Sequence, residues 1–361
     1  MPGTVIVGGQ WGDEAKGKIS SYLAVRDEPA VAVRAGLGPG AGHTVVHDGR
    51  TLKLRQLPSA VIHPGTRLLL GAGVLVRPEV LIEEIEGLGA RGRVGVDFRA
   101  TVIDPGHVSA EAADQVLRDR VRSTGSGHGP ALAARAMRSA RRAEDVPELA
   151  PYLADTVKEV NDAVDAGERI HVEGTNGFGL SVLYGSYPYT VGKDSTASTA
   201  AADAGLGPLA VDEVVLVFRA YPTRVGAGPF PTEMEDREAE RLGIVEYGTV
   251  TGRRRRSGTF DLDQAREAVR VNRPSRVALT FLDHVDAAGL GVRTDALPEA
   301  AAAFVAMVEE GLGLPVDLIG TGPDTADVID RWNGRPPAGT GRNVPIGIGG
   351  RGGLGTVGGD R

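Results

Sequence analysis

The sequence predicts an α/β fold, P-loop-like, with a largely parallel central sheet flanked by helices. Short apolar, β-branched runs alternate along the chain with helical patterns, and a glycine-rich loop follows the first run where a helix should begin. Such alternation places successive strands in one sheet, with helices as crossovers. With 361 residues, 41% of them apolar, the chain can bury a sizeable core. Residues 1–332 are expected to form one globular body.

The first strand is expected at 4–8. The run GQWGDEAKGK follows at 9–18, and the apolar spacing of Ile19, Tyr22 and Leu23 then opens a helix. Gly12 to Lys18 fits the G-x-x-x-x-G-K spacing of a phosphate loop, with Ile19 where Ser or Thr would ligate magnesium. In that context, backbone N–H groups and the helix N-terminus can point at a phosphate. Asp13 would repel such a ligand; an acid there makes sense if it holds Mg²⁺ or removes a proton from a substrate beside the phosphates. The alternative is a strand-to-helix turn with solvated charges.

Further strands are expected at 67–70, 169–172, 213–219, 276–281 and 316–319, with helices at 78–86, 149–166, 262–271 and 298–310. In 149–166, Leu153, Val157, Val160 and Val164 recur every three or four residues, which reads as a core-facing stripe. Six glycine-rich polar segments follow strand-like runs, at 38–44, 123–130, 172–179, 223–233, 250–261 and 320–324. In a parallel sheet such loops gather at the C-terminal edge, where ligands bind, so together they indicate an extended multi-ligand site. From Asn333 onward glycine and proline dominate without periodicity; 333–361 reads as a flexible tail that cannot offset its ordering entropy.

His43 is either a catalytic imidazole or a turn histidine. His47, His63 and His107 read as ordinary surface or loop residues and His171 as packing. Arg253 to Arg256 follow Thr251 and Gly252, so guanidiniums and a hydroxyl converge on one loop, as bidentate binding of a dicarboxylate requires. The alternate spacing of Arg253 and Arg255 lets both face one side. The net charge of −7, without a polybasic arm, argues against nucleic acid as a partner. The absence of cysteine removes disulfides, thiolate catalysis and Cys-ligated metal and fits a reducing compartment. With neither a signal-peptide pattern nor an 18-residue apolar stretch, no membrane partner and a cytoplasmic location are expected.

From residue 4 to about 332 the chain resembles the adenylosuccinate synthetases. The family signature GQWGDEGKGK stands here at 9–18 with Ala15 for one glycine, and AGHT, RVGAGPFPTE, TGRRRR and TGP elements follow in that order. The length and VEYGTVTGRRRR resemble the compact archaeal form. The resemblance implies a C–N bond-forming ligase that joins L-aspartate to a purine nucleoside monophosphate: a triphosphate, ATP or GTP, phosphorylates the 6-oxo group and the aspartate amine displaces that phosphate. By this likeness Asp13 takes the N1 proton and helps hold Mg²⁺, the Gly42 carbonyl is a further Mg²⁺ ligand, and His43 and Lys16 assist phosphoryl transfer. The triphosphate would lie on Gly12, Glu14, Ala15, Lys16, Gly17, Lys18 and Thr44, with Phe281, Asp283, Gly320, Thr321 and Gly322 toward its base. The monophosphate would meet Gly40, Ser123, Thr124, Arg138, Asn176, Val191 and Val225, and aspartate would meet Thr251, Arg253 and Arg255. Arg138 matches an arginine that reaches a neighbouring subunit, which implies a homodimer.

The chain departs from the family pattern at Gly40 for asparagine, Asn176 for glutamine and Val191 for threonine, three contacts to the monophosphate. These shifts, with the aspartate loop and the Asp13–His43 pair intact, suggest a changed purine. They point first to dGMP, as in the bacteriophage 2-amino-2′-deoxyadenylosuccinate synthetases, and second to IMP; the retained Asp13 counts against many members of that phage branch. Phe281 stands where longer family members stack a lysine on guanine, so ATP or dATP joins GTP as a donor. A purine-nucleotide sensor without catalysis and a general P-loop NTPase are the readings from other classes.

Overall fold

The computed structural model describes residues 3–248 and 252–332. Ten strands form one sheet in the spatial order Val328–Asp330, Val316–Gly320, Arg276–Thr280, Glu213–Arg219, Gly3–Gly8, Ile170–Glu173, Val31–Arg34, Arg67–Leu70, Val94–Asp97, Leu153–Ala154. Every neighbouring pair is parallel except the last two strands in the chain, which pair antiparallel at one edge. The first strand is fully buried and lies mid-sheet, because apolar residues cover both of its faces. Val5 and Val7 face a core shared with the helices Thr156–Asp165, Ala197–Ala204, Leu262–Asn272 and Glu299–Leu312, while Ile6 packs with Ile19 and Leu23 on the opposite face.

The expected strands are present, with one ending early: Arg276–Thr280 stops before Phe281, whose φ of 62° takes it out of extended backbone. The single helix expected at 149–166 is not formed. A 3₁₀ turn covers Pro147–Tyr152, a short strand covers Leu153–Ala154, and the α-helix runs only over Thr156–Asp165. Pro151 cannot donate to an α-helical ladder, and the Asp155 side chain accepts from Lys158 N as an N-cap, so the helix starts there. Leu153 therefore extends the sheet instead of joining the stripe. Thr251 and the expected tail lie outside the described residues.

Because the sheet is parallel, the loops after Gly8, Arg34, Glu173, Arg219 and Thr280 leave the same edge. The helices Pro105–Ala113 and His128–Ala136 pack over part of that edge around Leu37, Leu75, Ile103 and Ala131. The pair Thr223–Arg224 and Arg256–Ser257 forms a small antiparallel ribbon nearby.

Candidate active site

A cavity of about 540 Å³ opens at this edge. Five of the six glycine-rich segments meet there, contributing Gly40, Gly42, His43 and Thr44; Ser123, Thr124 and His128; Asn176; Arg224 and Val225; and Arg255. Gly12, Asp13, Glu14, Ala15, Lys16, Gly17, Val191 and Phe281 complete that part of the wall which the sequence had marked. The sixth segment, at 320–324, does not line it.

The loop after the first strand is shaped from within. Asp13 and Ala15 both take left-handed backbone, with φ 63° and 58°, and Ala15 caps the helix Lys16–Asp27 without a side-chain bond. Glu14 is fully buried; its carboxylate accepts from Gln10 N at 3.0 Å and Gly12 N at 2.9 Å and pairs with Lys16 Nζ at 2.7 Å. Its charged end is thus spent on groups of the loop itself. The first N–H groups of the helix have no intrahelical acceptor, which leaves those of Lys16 and Gly17 at the cavity wall. Gly17 is required by packing, since a Cβ there would come within 2.9 Å of His43 Cβ.

The Asp13 carboxylate lies 3.0 Å from Arg255 Nη2. Burial raises its pKa above the usual carboxylate value, and the nearby Arg255 and Arg219 offset that only in part. Arg219, the fully buried last residue of its strand, donates to the Asp13 carbonyl at 3.2 Å. Arg219 and Arg255 also share the Glu246 carboxylate; burial works against its charge, yet the two guanidiniums hold it down to about 2. Arg255 is fixed in addition by its backbone N–H, which donates to the Glu246 carbonyl at 2.9 Å.

His43 opens the strand His43–His47 on the facing wall. Parallel register sets Glu173 directly beside Arg34, and both reach His43 Nδ1. The Glu173 carboxylate also accepts from Ser59 N at 2.8 Å and Ser59 Oγ at 3.0 Å. Burial, then the adjacent Arg34 cation, lower the His43 pKa to about 4. Glu173 is held at about 2, where Arg34 and His43 outweigh its own burial. The ring is therefore neutral at pH 7. Arg34 can only donate to Nδ1, so the neutral ring carries its proton on Nε2, which is left to donate to a ligand.

Other marked residues lie apart from this cavity. Arg253 and Arg255 do not face one side together: Arg255 lines the main cavity, whereas Arg253 lines an adjoining cleft of about 630 Å³ with Arg118, Arg122, Arg254 and Arg256. Arg253 donates there to the Arg122 and Ser123 carbonyls at 3.0 and 3.2 Å. Lys18 does not face the cavity; its Nζ donates to the Asp324 carbonyl, and burial lowers its pKa to about 8 against the pull of Asp327, Asp324 and Asp283. Thr321 is buried and spends its hydroxyl on the Val292 carbonyl at 2.6 Å. Gly322 packs against Asp327, Gly320 against Thr280 and Lys18, and Asp283 stands two residues beyond Phe281. These form a neighbouring cluster. The Phe281 ring is covered on one face by the Arg219 guanidinium, 3.8 Å from its centroid. Arg138, with φ 63°, is exposed just beyond the helix His128–Ala136 and away from the cavity.

Sequence reasoning missed Trp11, Arg224 and His128 on the cavity wall, and Arg34, Glu173, Arg219 and Glu246 behind it. Four of these, Arg34, Glu173, Arg219 and Arg224, are the last residues of their strands, which was the available signal. His47, His63 and His107 occupy ordinary positions, and the buried His171 pairs with Asp27 at 3.3 Å. Among the described residues no helix is long and apolar enough to cross a membrane.

The sequence matches the adenylosuccinate synthetase family model over residues 5–148 and 146–290. It is 52% identical over 334 residues to the adenylosuccinate synthetase of Thermococcus sibiricus, covering 91% of this chain and 98% of that protein. It is 49% identical over 331 residues to that of Archaeoglobus fulgidus, covering 91% and 98%. Among solved structures, fully ligated adenylosuccinate synthetase from Plasmodium falciparum superposes with a TM-score of 0.84 at 23% identity, over 91% of this chain and 99% of that one. The cyanophage S-2L succinoaminodeoxyadenylate synthetase PurZ, bound to dGMP and dATP, superposes with a TM-score of 0.77 at 29% identity, over 91% and 95%.

Proposed function

The chain belongs to the adenylosuccinate synthetase family of C–N bond-forming ligases, in its compact, archaeal-like form, and on that premise we propose that it joins L-aspartate to IMP at the expense of GTP. The observation that carries this reading is the Asp13 carboxylate, raised in pKa, at the wall of a nucleotide-sized cavity beside Arg255. Asp13 takes the N1 proton of the 6-oxopurine, which makes the 6-oxygen nucleophilic toward the terminal phosphoryl group. Lys16, the first N–H groups of its helix and His43 Nε2 stabilise the charge on the transferring group. Arg255 holds an aspartate carboxylate, so that its amine can displace the new phosphate; Arg253 and Thr251 belong to the same role.

One carboxylate and one carbonyl, Asp13 and Gly42, both line the cavity, and among the described residues no cluster of three or more His, Asp or Glu is placed to hold a metal. This donor set fits Mg²⁺ that arrives on a triphosphate and keeps phosphate and water in its shell. Bound so, Mg²⁺ supplies charge neutralisation at the transferring phosphoryl group.

The choice of IMP over dGMP reverses the order that the three departures suggested. Each departure has a local cause. Asn176 has φ 61°, a backbone that suits asparagine; Val191 packs on the Leu37, Leu75 and Ile103 cluster; the space above Gly40 is filled by His128. None of them needs a 2-amino purine, and relatives near half identity carry the adenylosuccinate name. The dGMP reading keeps one support, the likeness to a dGMP-bound neighbour. Arg138, exposed beyond its helix, suits a homodimer contact, and cytoplasmic purine biosynthesis is the setting this chemistry implies.

Phosphate release with aspartate, Mg²⁺ and GTP, ATP or dATP, comparing IMP with dGMP at equal concentration, tests the reading. Aspartate-dependent release with IMP is expected. Preference for dGMP would replace the substrate, and no aspartate-dependent release with any purine monophosphate would favour a nucleotide sensor.

A further inference from the structure

We infer that His128 is a substrate-selecting residue of this cavity, presenting its Nδ1–H to an acceptor atom of a purine nucleoside monophosphate. The inference rests on reading the cavity as the monophosphate site, and names a residue that reading had not included. His128 and Gly40 form one unit. The Gly40 N–H donates to His128 Nε2 at 3.2 Å, and a Cβ added at Gly40 would lie 2.4 Å from Cε1, 3.1 Å from Nε2 and 3.2 Å from Nδ1. The ring thus lies directly over the glycine, in the volume a side chain at position 40 would take.

Its backbone is fixed on both sides. His128 is the first residue of its helix after Gly127, whose φ of 80° needs glycine and whose N–H donates to the Glu111 carboxylate. Arg55 Nε donates to the Pro39 carbonyl at 3.0 Å, next to Gly40. Burial, with Arg55 and Arg77 as nearby cations, lowers the His128 pKa to about 4, so the ring is neutral at pH 7. A neutral imidazole whose Nε2 accepts a hydrogen bond carries its proton on Nδ1. Among the described residues that donor has no hydrogen-bond partner. His128 is 5% exposed and lines the cavity with Ser123, Thr124, Asn176 and Val191. A fixed donor of this kind favours a nucleotide that sets an oxygen or ring nitrogen opposite it and rejects one that sets an N–H there.

Equilibrium binding of IMP and of dGMP to the purified full chain, by titration calorimetry, is the first measurement, since it needs no turnover. His128→Ala should weaken binding of the preferred monophosphate about tenfold, the scale of one hydrogen bond with some packing, and narrow the difference between the two nucleotides. His128→Gln, which keeps a donor, should recover most of the loss. Gly40→Ala, which drives a methyl into the ring, should weaken binding as His128→Ala does, and adding it to His128→Ala should cost little more. In steady state the monophosphate KM should rise while the aspartate and triphosphate KM values hold. Unchanged monophosphate affinity in His128→Ala, or an equal rise in all three KM values, would overturn the role of His128. Wild-type protein that binds no purine monophosphate would overturn the reading of the cavity itself.

Discussion

Asp13 and Ala15 share a left-handed backbone, but for different reasons. At Asp13 the turn aims a carboxylate into the cavity beside Arg255; at Ala15 it only starts the helix Lys16–Asp27. A left-handed alanine costs about 1–2 kcal/mol, and the greater unfolded-state freedom of glycine returns about 0.5–1 of that. Ala15→Gly should therefore stabilise the protein by about 0.5–1 kcal/mol, read from the denaturant midpoint; a lower midpoint would show that the loop is unstrained. Asp13→Asn keeps size and suits the same backbone, yet removes the base. We expect kcat to fall by about 10²- to 10⁴-fold with an unchanged melting temperature, and near-normal turnover would remove Asp13 from proton transfer. The loop motif made Asp13 legible in the sequence, since an acid among phosphate-binding glycines is chemically odd. Glu14 was not legible in the same way: the family resemblance set it against the triphosphate, whereas its carboxylate closes the loop onto Gln10, Gly12 and Lys16.

At the scale of elements, the run Arg253–Arg256 shows what periodicity can and cannot settle. Alternation was expected to aim Arg253 and Arg255 together. The chain instead turns at Gly252, with φ 63°, and bridges Tyr247 to Arg254, so Arg255 reaches Asp13 and Glu246 while Arg253 reaches the Arg122 and Ser123 carbonyls. The two arginines should separate in kinetics. Arg255→Leu removes the strongest influence lowering the Asp13 pKa, so the acid limb of the kcat profile should move to higher pH while the aspartate KM rises. Arg253→Leu should raise the aspartate KM without moving that limb; a shifted limb in both variants would mean that the loop acts as one unit. Continuous apolar runs such as Arg67–Leu70 were legible, but Val94–Asp97 is broken by Gly95 and Val328–Asp330 spans three residues, so neither stands out from the loops around it. The stripe through Leu153, Val157, Val160 and Val164 misled because Pro151 and Asp155 are local signals that override an apolar spacing. His128 lay inside a glycine-rich segment marked in the sequence, yet only the fold sets it over Gly40, 88 positions away.

Over the whole molecule, one parallel sheet brings distant strand ends to a single edge and buries their charges together. Arg34 and Glu173 are register partners from strands far apart in sequence, and the carboxylate they deliver to His43 comes from 130 positions away. Burial of this kind ties stability to pH. His43 and His128 have native pKa values of about 4, below the ordinary 6.5, so between those values the unfolded chain binds protons that the native protein refuses. Glu173 and Glu246, held at about 2 instead of 4.5, refuse protons in the same sense further down. For these four groups the unfolded state binds more protons in both windows, so they lower stability as pH drops, first from about 6.5 to 4 through the imidazoles and then below about 4.5 through the carboxylates. The midpoint of thermal unfolding should accordingly fall steadily from pH 7.5 to 5 and more steeply below 4.5. His128→Gln, which cannot titrate, should flatten the upper part of that curve and leave the lower part in place. A midpoint flat from pH 7.5 to 5 would mean that the imidazoles take up their protons in the native state, and that the cavity is wetter than the buried ion pairs around it imply.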